Sequence, residues 1–130
     1  MILVDTHILI WDALAPDQLS PPAQQALAQA NQQEGILVCD ISLWEIAMLL
    51  AKGRVQVATD SQTFLNLLLQ ANKIIVQPIT VQIVVLAAQL PPLNKDPADR
   101  LIAATAISEQ IPLVTADQNL QSATQLTTIW

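Results

Sequence analysis

One cysteine, one histidine, two glycines and no tyrosine close off many routes to function in this chain. Cys39 stands alone inside an apolar run. It excludes an intramolecular disulfide framework, reads as a small core residue, and leads us to expect a cytoplasmic protein. His7 is the only histidine, so no Ser-His-Asp or Cys-His nucleophilic set competes for the chemistry. Gly35 and Gly53 are too few for a phosphate-cradling glycine loop. Permanent positive charge is scarce as well: Lys52, Arg54, Lys73, Lys95 and Arg100 face 11 acids, for a net charge of −6. A protein that held nucleic acid by neutralising phosphates would show a basic face. Long apolar runs are missing too. None is longer than Ile83 to Ala88, far short of the roughly 18–20 residues that span a bilayer, and Asp5 interrupts the N-terminal run. No basic segment precedes an apolar one, so no secretory signal is expected.

Hydrophobicity, by contrast, is plentiful: 52% of 130 residues, with a mean hydropathy of +0.43. That length fits one domain, residues 1–130, with one good core. The apolar excess points to fully buried parallel strands and to an apolar surface that pairs with a second copy. A homodimer is therefore expected, with Ser42–Ala51 and Asp60–Ala71 as candidate contacts.

Strand-like runs stand at Ile2–Asp5, Ile36–Cys39, Ile74–Gln77, Leu113–Thr115 and, more weakly, Thr127–Ile129. Helical patterns separate them. Thr6 to Ala13 carries Ile8, Leu9 and Trp11; Ser20 caps a helix through Gln33 with Pro21 at its first position. Ser42 is expected to cap a helix that ends at Gly53, with Lys52 and Arg54 at its C-terminus. Asp60 caps the next, Thr80 another that Pro91-Pro92 ends, and Asp96-Pro97 opens the last, to about Gln110. Strands alternating with helices imply an α/β fold on a parallel sheet with right-handed crossovers.

Five acids fall where that sheet would gather them. Asp5 follows the first strand, Glu45 the second, Asp117 the fourth, and Asp96 and Asp99 begin a helix. Strand C-termini and the following helix N-termini converge on one edge of an open parallel sheet, where ligands bind. Acids from four distant segments meeting there repel one another unless a cation holds them, which reads as a divalent-metal site of hard oxygen ligands. Each acid also has a bland reading. Asp5 caps a helix, and Ser42-Leu43-Trp44-Glu45 satisfies a capping box. Asp96 and Asp99 suit a first helical turn, and Asp117 a turn or cap. A carboxylate directly after the buried Ile2-Leu3-Val4 run needs a partner, which favours the metal reading for Asp5. Asp99, followed by the buried pattern Leu101, Ile102, Ala104 and Thr105, is preferred over Asp96.

The set Asp5-Thr6, Ser42-x-x-Glu45, Asp99-x-x-Ile102-Ala103-Ala104-Thr105-Ala106 and Thr115-Ala116-Asp117, in that order and spacing, resembles a PIN domain. More narrowly it resembles the VapC-type toxins of bacterial toxin–antitoxin pairs, helped by Trp44-Glu45-Ile46-Ala47 and Asp96-Pro97-x-Asp99-Arg100. The resemblance implies a three-layer fold, a central parallel sheet of four or five strands flanked by helices. It also implies an Mg²⁺- or Mn²⁺-dependent ribonuclease acting on RNA. By motif position its metal-binding and catalytic acids fall on Asp5, Glu45, Asp99 and Asp117, with Asp96 a further candidate. A cognate antitoxin is expected, its C-terminal segment laying Arg or Lys across the acidic edge. Relatives with this pattern often carry His where this chain has Asn94.

Among the other polar residues, Thr6 and Thr115 could orient the carboxylates or simply cap helices. Arg100 reads as a salt-bridge partner of Asp96 or another acid before a phosphate contact, and His7 as a residue at the sheet edge or in solvent before a metal ligand or general base. Trp44 reads as core or interface, and base stacking is disfavoured for the tryptophans because no basic groove accompanies them. Two rivals remain. One is a PIN-fold module that binds or scaffolds without cleaving. The other, an aspartyl-phosphate phosphatase, needs a second Asp where His7 stands.

Overall fold

The computed structural model describes residues 1–91 and 96–130. Asn94 therefore lies outside the described residues. Five parallel strands, β1 (Ile2–Val4), β2 (Ile36–Cys39), β3 (Ile74–Gln77), β4 (Leu113–Val114) and β5 (Thr128–Ile129), form one sheet in the order β3-β2-β1-β4-β5. The chain builds outward from β1 in one direction and then returns to its other side. The order of strands thus reverses between β1 and β4, the place where an open α/β sheet leaves a crevice at its carboxyl edge.

Strand side chains alternate between the two faces, and the apolar residues sort accordingly. Ile2, Val4, Ile36, Val38 and Val114 point to one core, closed by α1 (Thr6–Leu14), α2 (Pro21–Gln32), α4 (Ser61–Ala71) and Ile46 of α3 (Asp40–Ala51). Leu3, Leu37, Cys39 and Leu113 point to the other, covered by α5 (Val81–Gln89), α6 (Pro97–Glu109) and Leu120 of α7 (Gln118–Gln121). Every one of those strand side chains is buried, which is why the runs are apolar throughout rather than alternating. Gly35, at φ +111°, turns the chain into β2 where a Cβ would meet the Lys73 carbonyl at 2.8 Å.

Several expectations need correction. Ser42 does not cap α3: that helix begins at Asp40 with Cys39 at its cap, and Ser42 is buried within the first turn. Trp44 is not core, being 57% exposed. Among the described residues Arg100 pairs with no acid, against the salt bridge expected of it. Its guanidinium donates to the carbonyls of Ala87 (2.8 Å), Leu90 (2.7 Å) and Pro91 (3.3 Å), closing the orphan acceptors at the end of α5. That clamp fixes the first turn of α6 against α5. Cys39 is as expected: buried, 3.6 Å from Thr105 Oγ1, its thiol pushed up by burial.

Among the described residues, no helix is long and apolar enough to cross a membrane. Large apolar side chains nevertheless reach the surface, including Leu67 (56%) on α4 and Val81 (82%), Val84 and Val85 on α5.

Candidate functional site

Asp5, Glu45, Asp96, Asp99 and Asp117 line one cleft of about 290 Å³, together with Thr6, His7, Trp11 and Ala116. Each acid arrives by a different local route. Asp5 leaves β1 and caps α1, its Oδ1 accepting from the Thr6 amide at 2.8 Å. Its own amide donates to the Val114 carbonyl at 3.0 Å, so Asp5 sits astride β1 and β4 at the point of strand reversal. Asp96 caps α6 through the Ala98 amide (3.0 Å), with Asp99 in the same first turn. Asp117 caps α7, accepting from the Asn119 (2.8 Å) and Leu120 (3.2 Å) amides. Capping and site placement thus coexist in three of these acids, because a helix N-terminus aimed at the sheet edge requires both.

Two buried threonines tie the acids together. The Thr115 hydroxyl donates to Asp5 Oδ2 at 2.8 Å and accepts from the Asp117 amide at 3.1 Å. Thr6 Oγ1 touches both Glu45 Oε1 and, at 2.9 Å, Ser42 Oγ. One hydroxyl carries one proton, and the charged acceptor takes it more strongly. Thr6 therefore donates to Glu45, and Ser42 donates to Thr6. Ser42 and Glu45, three residues apart, share a helix face. The spacing that resembles a capping box instead holds Glu45 to the first helix.

The electrostatics are those of crowded like charges. Asp99, half-buried, is pushed up to about 7, first by desolvation and then by Asp5, Asp96, Asp117 and Glu45 in turn. Burial also raises Asp5, against the opposing hydrogen bond from Thr115, and raises Glu45, against that from Thr6. All three move in the direction that disfavours charge. Among the described residues, no three His, Cys, Asp or Glu side chains converge into a ready coordination sphere. Each Asp5 oxygen accepts one hydrogen bond and keeps a further lone pair. In donor chemistry the set fits a hard divalent cation: oxygen ligands only, in a cleft where burial and like charge together disfavour the bare carboxylates.

A PIN-domain family model matches residues 2–126. The chain belongs to the PIN-domain family. Over 122 residues, 93% of this chain and 90% of the relative, it is 37% identical to Ribonuclease VapC22 of Mycobacterium tuberculosis. Among solved structures it is similar to VapBC2 from Rickettsia felis bound to a promoter DNA fragment, with a TM-score of 0.72. That match has 19% identity and covers 98% of this chain and 97% of that one. It is also similar to DNA-bound VapBC from Salmonella typhimurium, with a TM-score of 0.70 and 14% identity over 98% and 95% of the two chains. At those identities the two structures speak for the PIN fold alone.

The site of this PIN domain extends beyond the expected acids. Ser42, inside α3 and not at its cap, is hydrogen-bonded to Thr6. His7 lies exposed at the cleft, its ring centroid 5.9 Å from that of Trp11. Trp11 follows His7 by four residues and so shares its helix face, a spacing that is visible in the sequence.

Proposed function

We propose that this PIN domain is a divalent-metal-dependent endoribonuclease, the toxin of a toxin–antitoxin pair. One observation carries the reading: five carboxylates from four segments enter one cleft at the strand-reversal point, where burial and then the neighbouring acids lift Asp99 to about 7. The 37% identity to a protein named a ribonuclease supports it. Asp5, Glu45, Asp99 and Asp117, with Asp96 at the rim, would hold Mg²⁺ or Mn²⁺. Such an ion, when bound, supplies Lewis-acid polarisation of a phosphoryl oxygen and a water nucleophile at neutral pH. The protein's own part is positioning. Thr115 orients Asp5, Thr6 orients Glu45, and the Arg100 clamp on α5 fixes the turn that carries Asp99. Loss of either hydroxyl would free a carboxylate that the site needs held.

The test is cleavage of a mixed RNA pool by purified chain freed of partners, with Mn²⁺ or with EDTA. Cutting that requires Mn²⁺ is expected; no cutting in either condition would favour a non-cleaving scaffold. Asp96→Asn is expected to keep activity within about tenfold and stability within about 0.5 kcal/mol, since Asn caps as well as Asp. If that variant were dead, Asp96 would belong among the ligands proper.

The partners follow from charge and surface. An antitoxin segment carrying Arg or Lys would neutralise the acidic cleft, and its absence from native copurified material would count against the pair. A homodimer would cover part of the exposed apolar surface at Trp44, Leu67, Val81, Val84 and Val85. Light scattering at micromolar concentration is expected to give twice the chain mass, and Trp44→Asp with Leu67→Asp to halve it. A strict monomer before mutation would end the dimer reading.

A further inference from the structure

His7 and Trp11 line the acidic cleft, and a third ring, Trp130, stands beside Trp11. The centroids of His7 and Trp11 are 5.9 Å apart, and those of Trp11 and Trp130 6.0 Å apart. The fold places the last of these. β5 runs parallel to β4, and the Thr115 amide donates to the Ile129 carbonyl at 3.2 Å, so the chain leaves β5 at the same carboxyl edge as Asp5 and Thr115. Trp130 follows at once, beside Trp11, which itself lines the cleft.

The rings are tilted against one another and not stacked. The planes are inclined by 57° between His7 and Trp11 and by 47° between Trp11 and Trp130, so the rings do not use up their faces by stacking on one another. Trp11 is partly buried against the core of the α1 face, which holds it rigid, whereas Trp130 keeps 37% of its surface exposed. A rigid ring backing an exposed one, beside a cleft, is a shelf for a flat ligand.

Charge says which ligand. Phosphate contacts alone would hold a polyanion poorly on a chain of net charge −6. Two of its five cations are engaged elsewhere: Arg100 on the carbonyls ending α5, and Lys73 on the Gln33 carbonyl. Base stacking on aromatics needs no cation and tolerates any sequence, because every base has a π-face. Stacking here would supply contact energy that a missing basic groove cannot.

We propose that Trp11 and Trp130 form a stacking shelf for one nucleobase of single-stranded RNA, setting which phosphate enters the acidic cleft. The proposal rests on the endoribonuclease reading and adds a specificity-determining pair to it. A purely structural role for these rings would cost stability when they are replaced and would leave substrate preference unmoved.

The experiment uses the full chain, Mn²⁺ and an RNA oligonucleotide in which a single abasic position is stepped along the strand. In wild type, one position beside the cut phosphate is expected to lower kcat/KM about tenfold, mainly through KM. Trp130→Leu and Trp11→Leu, which keep apolar bulk, are expected to cost a similar factor on intact RNA. Neither should add a further penalty on the sensitive abasic strand, because the stack is then already absent. Penalties that multiply, or no sensitive position at all, would overturn the shelf. Quenching of tryptophan fluorescence by the same oligonucleotides, in a Trp44→Phe background, separates this from failure of the parent reading. Quenching by intact RNA that one abasic position abolishes supports the shelf even in a chain that does not cleave; absence of quenching by intact RNA rejects it.

Discussion

Asp99→Asn is expected to do two opposite things: abolish Mn²⁺-dependent RNA cleavage, and raise the melting temperature of the metal-free protein. The second effect follows from the first-turn crowding. Asp99 is half-buried and pushed up to about 7, first by desolvation and then by four neighbouring acids. At pH 8 without a cation its charge is therefore held against a penalty. The full displacement from 3.8 corresponds to about 4 kcal/mol at about 1.4 kcal/mol per unit. Solvent reaches half of the group, so screening reduces the usable part to on the order of 1–2 kcal/mol. For a domain of this size, that is a rise of roughly 3–8 °C in EDTA. Cleavage should fall by roughly three orders of magnitude, the scale of several kcal/mol of lost transition-state charge stabilisation.

The bland alternative makes the opposite prediction. An acid in the first turn of a helix gains a few tenths of a kcal/mol from the helix dipole, so its amide would be slightly less stable. Differential scanning fluorimetry in EDTA decides between them by sign alone. A lower melting temperature for Asp99→Asn, with RNA cleavage intact, would reduce Asp99 to a helix-terminus residue. Residues whose removal stabilises a fold while destroying its activity mark a site held under strain for function.

Much of this architecture is legible before any coordinates. Ile2-Leu3-Val4, Ile36 to Cys39 and Leu113-Val114 read as buried parallel strands because both faces of the sheet are covered and no polar position interrupts them. Once those strands are parallel, the acids that follow them must gather at one edge, and the cleft is where that logic places it. What the sequence hides is pairing across distance. Ser42-x-x-Glu45 is the same string whether Ser42 caps a helix or lies inside one, and its partner Thr6 is 36 residues away. Arg100 gives no hint of its target because carbonyl acceptors belong to the backbone and leave no mark in the sequence. α7 spans four residues, too few for any period to register. Trp130 follows a strand of two residues, so its place beside Trp11 emerges only when β5 is laid against β4.

Wild-type protein in EDTA is expected to become less stable as pH rises from about 4 to 7, against the usual behaviour of paired carboxylates. The sign follows from proton counting. A carboxyl whose folded pKa lies above its unfolded one binds more protons in the native state across the interval between them. Stability then falls with rising pH throughout that window, which for Asp99 runs from 3.8 to about 7. Asp5 and Glu45, raised chiefly by desolvation, add to the fall in the same direction. Millimolar Mn²⁺ should remove most of this slope, because cation and protons compete for the same oxygens and the cation wins as pH rises. The Mn²⁺-induced rise in melting temperature should therefore be small at pH 5 and large at pH 7.5, reaching about 2.7 kcal/mol of stabilisation at a hundredfold excess over the dissociation constant. Asp99→Asn should show a flatter slope in EDTA and little response to Mn²⁺ at either pH. A melting temperature that climbs from pH 4 to 7 in EDTA and ignores Mn²⁺ would mean that these acids are neither crowded nor a cation site. Cleavage activity, where found, would then need another seat in the molecule.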